Sequence, residues 1–313
     1  MSSGDARDTH ECTFGVMGSE AHVVVVGARA SSLDSAHELL DELESRWSRF
    51  RPDSEVSRLN ACAGDWMTVS AETFALLERA QLAHERTAGR FDPFRLHDVL
   101  RAGYGTAPGV PLAASDLPDP THDGIGHVEL DAAQRTARLP PGVGFDPGGL
   151  GKGFAADLVA EWLAESGAAG VCVNVGGDLR VLGAGPDGGP WVVAIDDPRS
   201  DGGPLCSLQL ADGGVATSSR CRRRWVDADG REVHHLIDPA TGEPARTEVL
   251  AATVVAAEAW QAESLSKVAF LAPSDRLDDL LAAAGADGLV VRADGVVTTP
   301  GWERFVAPIE PTG

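Results

Sequence analysis

The stretch Gly144-Phe-Asp-Pro-Gly-Gly-Leu-Gly-Lys-Gly-Phe-Ala-Ala-Asp157 crowds glycines and a proline into a turn and then enters the helical spacing of Phe154–Ser166. Beyond it the grain changes. Gly170–Val175 is a short apolar run, Asn174-Val-Gly-Gly-Asp178 interrupts it, and Leu179–Leu182 resumes it. Working outward, Val128–Leu130 and Ala137–Leu139 read as a hairpin, and Trp191–Ile195, Leu205–Leu210, Arg223–Val226, Glu232–Ile237 and Val249–Val255 as further strands. His22–Gly27 suits a buried strand. Helices lie towards the ends of the chain. Ser32–Trp47 has Leu39, Leu40, Leu43 and Trp47 on its inner face, and Thr68–Ala88 starts near Ser70 and closes at Gly89. Ala257–Leu271 and Asp275–Ala284 follow late, before a last strand at Gly288–Arg292. Ala102–Gly124 is rich in glycine and proline and reads as a loop. With no βαβ alternation and no repeat, the expected class is α+β: mixed or antiparallel sheets with flanking helices in a single compact two-lobed unit. Its expected limits are 13–308, between a flexible tail at 1–12 and a short one at 309–313.

The 313 residues carry 26 Lys+Arg against 47 Asp+Glu, a formal charge of −21. Phosphate backbones repel such a surface, so nucleic acid is not an expected partner. No apolar run approaches the ~18 residues of a membrane span, and the first residues show no export signal. Five cysteines stand far apart without a CxxC pair, which argues against a disulfide framework or a zinc site and for a cytoplasmic protein. Of the 26 basic residues only Lys152 and Lys267 are lysines.

Five segments can carry chemistry. Backbone N–H groups where the first glycine stretch opens a helix favour an anion, with Lys152 as a point charge beside it; the same residues also suit a plain tight turn. Asp146 is then a turn-maker or a ligand to a hydroxyl or amide edge. Gly176 and Gly177 allow close approach of a ligand to the backbone, or make a hairpin corner. Val215-Ala-Thr-Ser-Ser219 precedes Arg220-Cys-Arg-Arg-Arg224, which could hold phosphate or serve as a solvated edge strand. In His234-His235-Leu-Ile-Asp-Pro-Ala-Thr-Gly242 the histidines of a strand would face opposite ways, and either could be structural or an acid or base. Finally, Trp260, Glu263, Lys267 and Phe270 fall on one stripe of a helix, an ion pair framed by aromatic residues.

The order of these segments, GxFDP, DPGGLGKGFAAD, NVGGDL, ATSS, HHLIDPATGxP and AExLxK, resembles the ApbE-type FAD:protein FMN transferases from about Met17 to Leu271. The forms AExLxK, RxRRRW and HHLIDP resemble an actinobacterial subgroup. The resemblance implies an enzyme that cleaves the pyrophosphate of FAD, attaches FMN through a phosphoester to a threonine of an acceptor flavoprotein, and releases AMP. It implies FAD contacts at Met17, Phe50, Arg90, Phe91, Asp92, Asp146, Lys152, Gly176, Gly177, Thr217, Ser218 and Ile237. It places a Mg²⁺ ion at Gly149 (through its carbonyl), Glu263 and Lys267, and His235 near the scissile phosphate as acid, base or transition-state contact.

This chain departs from the family pattern. Phe50 stands for tyrosine, Phe94 for threonine, Ser219 for glycine and Cys221 for an aromatic residue. The family's metal-binding Asp and Thr are Glu263 and Lys267. A hard cation takes oxygen ligands, and a charged ammonium is no ligand. Three mechanisms follow as expectations: a Mg²⁺-assisted transferase with Glu263 as the remaining carboxylate ligand; a protein that binds FAD without transferring FMN, or slowly hydrolyses it to FMN and AMP; and a transferase in which Lys267 replaces the cation.

Overall fold

The apolar run at His22–Gly27 is the core of the second strand in an eight-stranded sheet. Its residues Val23 to Val26 are all buried, as expected of a strand covered on both faces. The molecule is known from a computed structural model that describes residues 8–105, 128–200, 203–221, 224–226 and 232–308. These fall into two compact units. One takes in the described parts of 1–41, 152–218 and 249–313; the other takes in those of 42–151 and 219–248.

The first unit is built on the large sheet. Its strands are β1 (Thr9–Val16), β2 (Ser19–Val26), β3 (Gly170–Val175), β4 (Asp178–Gly183), β5 (Asp212–Ser219), β6 (Val249–Ala256), β7 (Asp287–Arg292) and β8 (Gly295–Thr298), side by side in that order. Pairing is antiparallel from β1 through β5 and again from β6 through β8. Leu179 and Val181 of β4, Val215 of β5 and Val255 of β6 pack with Trp191, Ile195 and Leu208 of the hairpin Trp191–Asp196/Pro204–Leu210, and with Trp302. Each large side chain buried in this way contributes about 1.5–3 kcal/mol.

Among the described residues, seven α-helices accompany the strands: α1 (Ser31–Trp47), α2 (Glu55–Ala61), α3 (Ala71–Arg86), α4 (Leu96–Arg101), α5 (Gly151–Glu165), α6 (Ala259–Leu271) and α7 (Leu277–Ala282). α6 packs on β6 and β4, and it is buried nearly all round. Arg180 alternates away from Leu179 and Val181, and its Nε lies 3.4 Å from Asp157 of α5. Both Asp157 oxygens accept from the start of α6, Oδ1 from Ala259 N at 2.8 Å and Oδ2 from Trp260 N at 2.9 Å. A side chain of one helix thereby caps the N–H groups that open another.

Burial pushes the Asp157 carboxyl up to about 7, against the pull of those two N–H groups and of Arg180, with Glu258 reinforcing the rise. A carboxyl raised in the folded state adds stability that is complete below its unfolded value of ~3.9 and is lost as pH rises through the folded one. Urea unfolding at pH 5 and pH 8 should therefore show wild type losing stability over that interval relative to Asp157→Asn. Equal slopes would contradict the assignment.

The second unit holds α2, α3, α4 and a three-stranded sheet of Met67–Thr68, Thr136–Arg138 and Glu129–Asp131. It also contains the hairpins Arg224–Val226/Glu232–His234 and Ile237–Asp238/Glu243–Pro244.

Several expectations are revised. Thr9 to Cys12, read as part of a tail, belong to β1, which is amphipathic and exposed on alternate residues. Helix α2 escapes periodicity because only Val56 and Leu59 of its seven residues are buried; Ser54 caps it by accepting from Ser57 N. Strand β5 begins with Asp212-Gly-Gly, which looks like a turn, but Gly214 is needed because a Cβ there would lie 2.4 Å from Ala259 Cα. The strand expected at Glu232–Ile237 is two short ones, broken at His235 and Leu236. Leu39 is only half-buried, and Leu33 and Ala36 join Leu40, Leu43 and Trp47 on the inner face of α1. Residues 106–124 of the expected loop, 309–313, and Arg222 and Arg223 lie outside the described residues.

Candidate functional site

Asp146 opens the glycine-rich turn by accepting from Gly148 N at 2.9 Å, and Pro147–Gly149 form one 3-10 turn ahead of α5. Lys152 and Gly153 then stand in the first turn of α5, where backbone N–H groups lack partners within the helix. The anion at that helix start is a protein carboxylate: Gly153 N donates to Glu263 Oε2 at 2.8 Å.

Glu263 has no exposed surface. Its Oε1 lies 3.3 Å from Lys152 Nζ and 3.6 Å from Lys267 Nζ, so both lysines of the chain converge on one carboxylate. Lys267 also donates to the Glu263 carbonyl at 3.1 Å, one helical turn back, and Lys152 pairs with Asp178. Burial by itself raises the Glu263 carboxyl; Lys152, Lys267 and the Gly153 N–H overcome it and hold the group below its usual range. These contacts join two carboxylates and two ammoniums, of formal charge zero together.

The segments around this set belong to the same unit. Met17 and Gly18, with φ of 52° and 63°, form the two-residue turn between β1 and β2. Gly176 and Gly177, at 65° and 98°, form the corresponding turn between β3 and β4. Such left-handed pairs match the twist of a hairpin. Only glycine fits at 176, because a Cβ would stand 2.8 Å from Ser19 Oγ, and the same atom would be 3.8 Å from Lys152 Cδ. Gly176 N donates to Glu20 O at 2.9 Å, which ties the two turns together. On β5, exposed Thr217 shares a hydrogen bond with buried Thr253 (2.9 Å), and buried Ser218 with Ser266 (2.7 Å), which in turn donates to the Glu263 carbonyl at 2.8 Å.

Mg²⁺ can be tested against this donor set. Among the described residues no group of three or more His, Cys, Asp and Glu could hold a metal ion. Oε2 of Glu263 is taken by a backbone N–H and Oε1 faces two ammoniums. Like unit charges 4 Å apart repel by about 4 kcal/mol at an effective dielectric near 20, and a dication doubles that. The residues do not fit the ion.

The second unit carries an aromatic and cationic group. The Arg49 guanidinium lies 4.2 Å from the Phe50 ring centre and 4.7 Å from that of Tyr104, and its Nε is 3.5 Å from Asp146 Oδ2. Tyr104 stacks on Trp225 at 5.6 Å, and His235 is next to it at 6.3 Å. Phe50 is 45% exposed and meets Tyr104 edge-on. Tyr104 is itself buried, with Trp225 stacked on it and Arg49 near its ring, so Phe50 is the exposed ring of the group; an exposed aromatic face beside a cation can take a flat heteroaromatic ring. Arg90 is exposed and donates to Thr87 O. Phe91 and Asp92 are buried; Asp92 accepts from Phe94 N at 3.0 Å and Arg95 Nε at 3.1 Å, and burial raises its carboxyl. Asp92 thus holds the turn before α4. Ile237 is half-buried, paired with Pro244, and Gly149 is half-buried in its turn.

Sequence reasoning did not single out Arg49, Tyr104, Trp225 or Asp178. Tyr104 is the only tyrosine of the chain, and Asp178 closes the quoted NVGGD segment, so a signal existed for both.

A family model described as the ApbE family matches residues 17–290. An FAD:protein FMN transferase of Treponema pallidum is 30% identical over 84% of this chain and 78% of its own length. One of Vibrio cholerae is 29% identical over 73% and 69%. In three dimensions the chain is similar to an ApbE protein of Thermotoga maritima, with TM-score 0.83 and 27% identity, covering 96% of this chain and all of that one. The flavin transferase ApbE of Vibrio cholerae, at 24% identity and TM-score 0.81, shares the fold over 96% of this chain and 99% of that one.

Proposed function

Since the chain belongs to the ApbE family, we propose that it is an FAD:protein FMN transferase, moving FMN from FAD to a threonine hydroxyl of an acceptor flavoprotein. The observation that carries this reading is the span of the likeness: residues 17–290 include every glycine turn and every charged residue described above.

The chemistry is an in-line displacement. The threonine Oγ forms a bond to the FMN phosphorus, the bond from that phosphorus to the AMP phosphate oxygen breaks, and AMP leaves with the electron pair. Catalysis of such a step consists mainly of positioning and of neutralising charge on phosphoryl oxygens. We assign the pyrophosphate charge to Lys152 and to the backbone of Gly176 and Gly177, with the Thr217 hydroxyl as a further donor and Ser218, whose own proton goes to Ser266, as part of the same strand. Phe50, Asp146 and Ile237 are assigned to the flavin nucleotide, joined by Arg49 and Tyr104, and Met17, Arg90 and the Phe91-Asp92 turn to shaping the binding surface. His235 is assigned to the proton that the threonine hydroxyl loses. Mg²⁺ is not assigned at Gly149, Glu263 and Lys267, because the groups around Glu263 do not suit it. We place the reaction in the cytoplasm, a reading supported by five free cysteines. No helix among the described residues is long and apolar enough to cross a membrane.

The test is to incubate the purified chain with FAD and a flavoprotein acceptor modified by the Vibrio cholerae relative, then to read flavin fluorescence on that acceptor in a denaturing gel. A fluorescent band that disappears when the acceptor threonine becomes alanine is the expected result. Free FMN and AMP without a band would indicate a pyrophosphatase. Bound FAD that stays intact would indicate a binding protein.

A further inference from the structure

We propose that the two lysines replace a divalent cation in this chain: Lys267 holds the position, Lys152 stands beside it, and FAD binds and reacts without metal. The inference rests on the transferase reading and deepens it.

Four observations carry it. Lys152 and Lys267 are the only lysines in a chain whose other basic residues are all arginine, and their Nζ atoms lie 3.3 and 3.6 Å from the same oxygen, Glu263 Oε1. The remaining oxygen, Oε2, accepts from Gly153 N at 2.8 Å, so both carboxylate oxygens already have partners and one of them faces two positive charges. Asp178, the other carboxylate nearby, is paired with Lys152. The neighbouring hydroxyls of Ser218 and Ser266 are hydrogen-bonded to each other at 2.7 Å. An ammonium is a compact point charge with several donors, whereas a guanidinium is a planar fork, which accounts for lysine rather than arginine at both places. In the transfer step both ammoniums remain protonated. They neutralise phosphoryl oxygens while the Oγ–P bond forms and AMP departs with the electron pair, and no oxidant or metal enters the balance.

The experiment uses the full chain. Mn²⁺ binding is followed by electron paramagnetic resonance, and FAD binding by flavin fluorescence, each in wild type and Lys267→Thr, with EDTA and with excess Mg²⁺. Wild type should leave Mn²⁺ free and bind FAD equally well in both conditions. Lys267→Thr should lose FAD affinity in EDTA by on the order of tenfold to a hundredfold, and should recover it with Mg²⁺ as it begins to bind Mn²⁺. Stoichiometric Mn²⁺ binding by wild type that Glu263→Gln abolishes would overturn the proposal. So would FAD binding or AMP release that wild type shows only with Mg²⁺. The wild-type measurements decide the matter even if the variant does not fold. Wild type that ignores FAD in every condition would instead remove the transferase reading itself.

Discussion

Glu263→Ala is expected to lower stability by about 3–5 kcal/mol, the usual loss when one partner of a buried ion pair is removed, and to abolish FAD binding. The size follows from what remains. Lys152 and Lys267 converge on this carboxylate inside the unit, and Gly153 N–H, at the start of α5, has its acceptor there. Alanine would leave two ammoniums with less compensation, and one N–H without its acceptor. Thermal unfolding with tryptophan fluorescence checks the stability, and Glu263→Gln, which keeps the shape and drops the charge, should fall between alanine and wild type. Replacing Glu263 and Lys267 together by leucine and methionine should cost less than the sum of the single losses, since residues in one charge network couple strongly. Additive losses would mean that the pair contributes nothing as a pair.

The second large effect is expected at Gly153, where helix packing and the charge cluster meet. A Cβ built there would lie 2.5 Å from Ala259 O, 2.6 Å from Ala259 C and 2.8 Å from Trp260 N. All three are backbone atoms at the opening of α6, so no side chain can swing aside. Gly153→Ala must push α5 and α6 apart. Overpacking of this kind costs about 1–3 kcal/mol, occasionally more, and the shift would also lengthen the hydrogen bond from Gly153 N to Glu263. Lower thermal stability together with weaker FAD binding is the expected result. A variant of unchanged stability would show that the two helices do not need this close contact.

The α+β class was legible because strands such as Gly170–Val175 and helices such as Ser31–Trp47 carry long, clean patterns. What escaped was short, polar or glycine-led. Helix α2 has one buried side chain per turn, β1 is an edge strand with little apolar signal, and β5 opens on Asp212-Gly-Gly, where the reason for Gly214 lies in a neighbouring helix. The site was legible in part. Glycine turns, Lys152, Glu263 and Lys267 stand out as residue types, and of the stripe Trp260, Glu263, Lys267 and Phe270 all but the half-buried Lys267 are buried, as its aromatic frame suggested. Their partnership could not be read. At the glycine-rich helix start, expected to favour an anion, the structure shows a glutamate from 111 residues further along the chain from Lys152. Neither periodicity nor spacing reports a contact at that separation. Asp92 gives the opposite lesson: a carboxylate in a motif-rich segment proves to be a buried brace for its own turn.

The central claim, that FMN leaves FAD and arrives on a threonine, is tested most directly by mass spectrometry of the intact acceptor, with AMP quantified in the same reaction. The account predicts a mass gain of one FMN phosphoester located on a threonine, matched mole for mole by AMP. An unmodified acceptor accompanied by equal amounts of free FMN and AMP, or FAD left unconsumed, would contradict it.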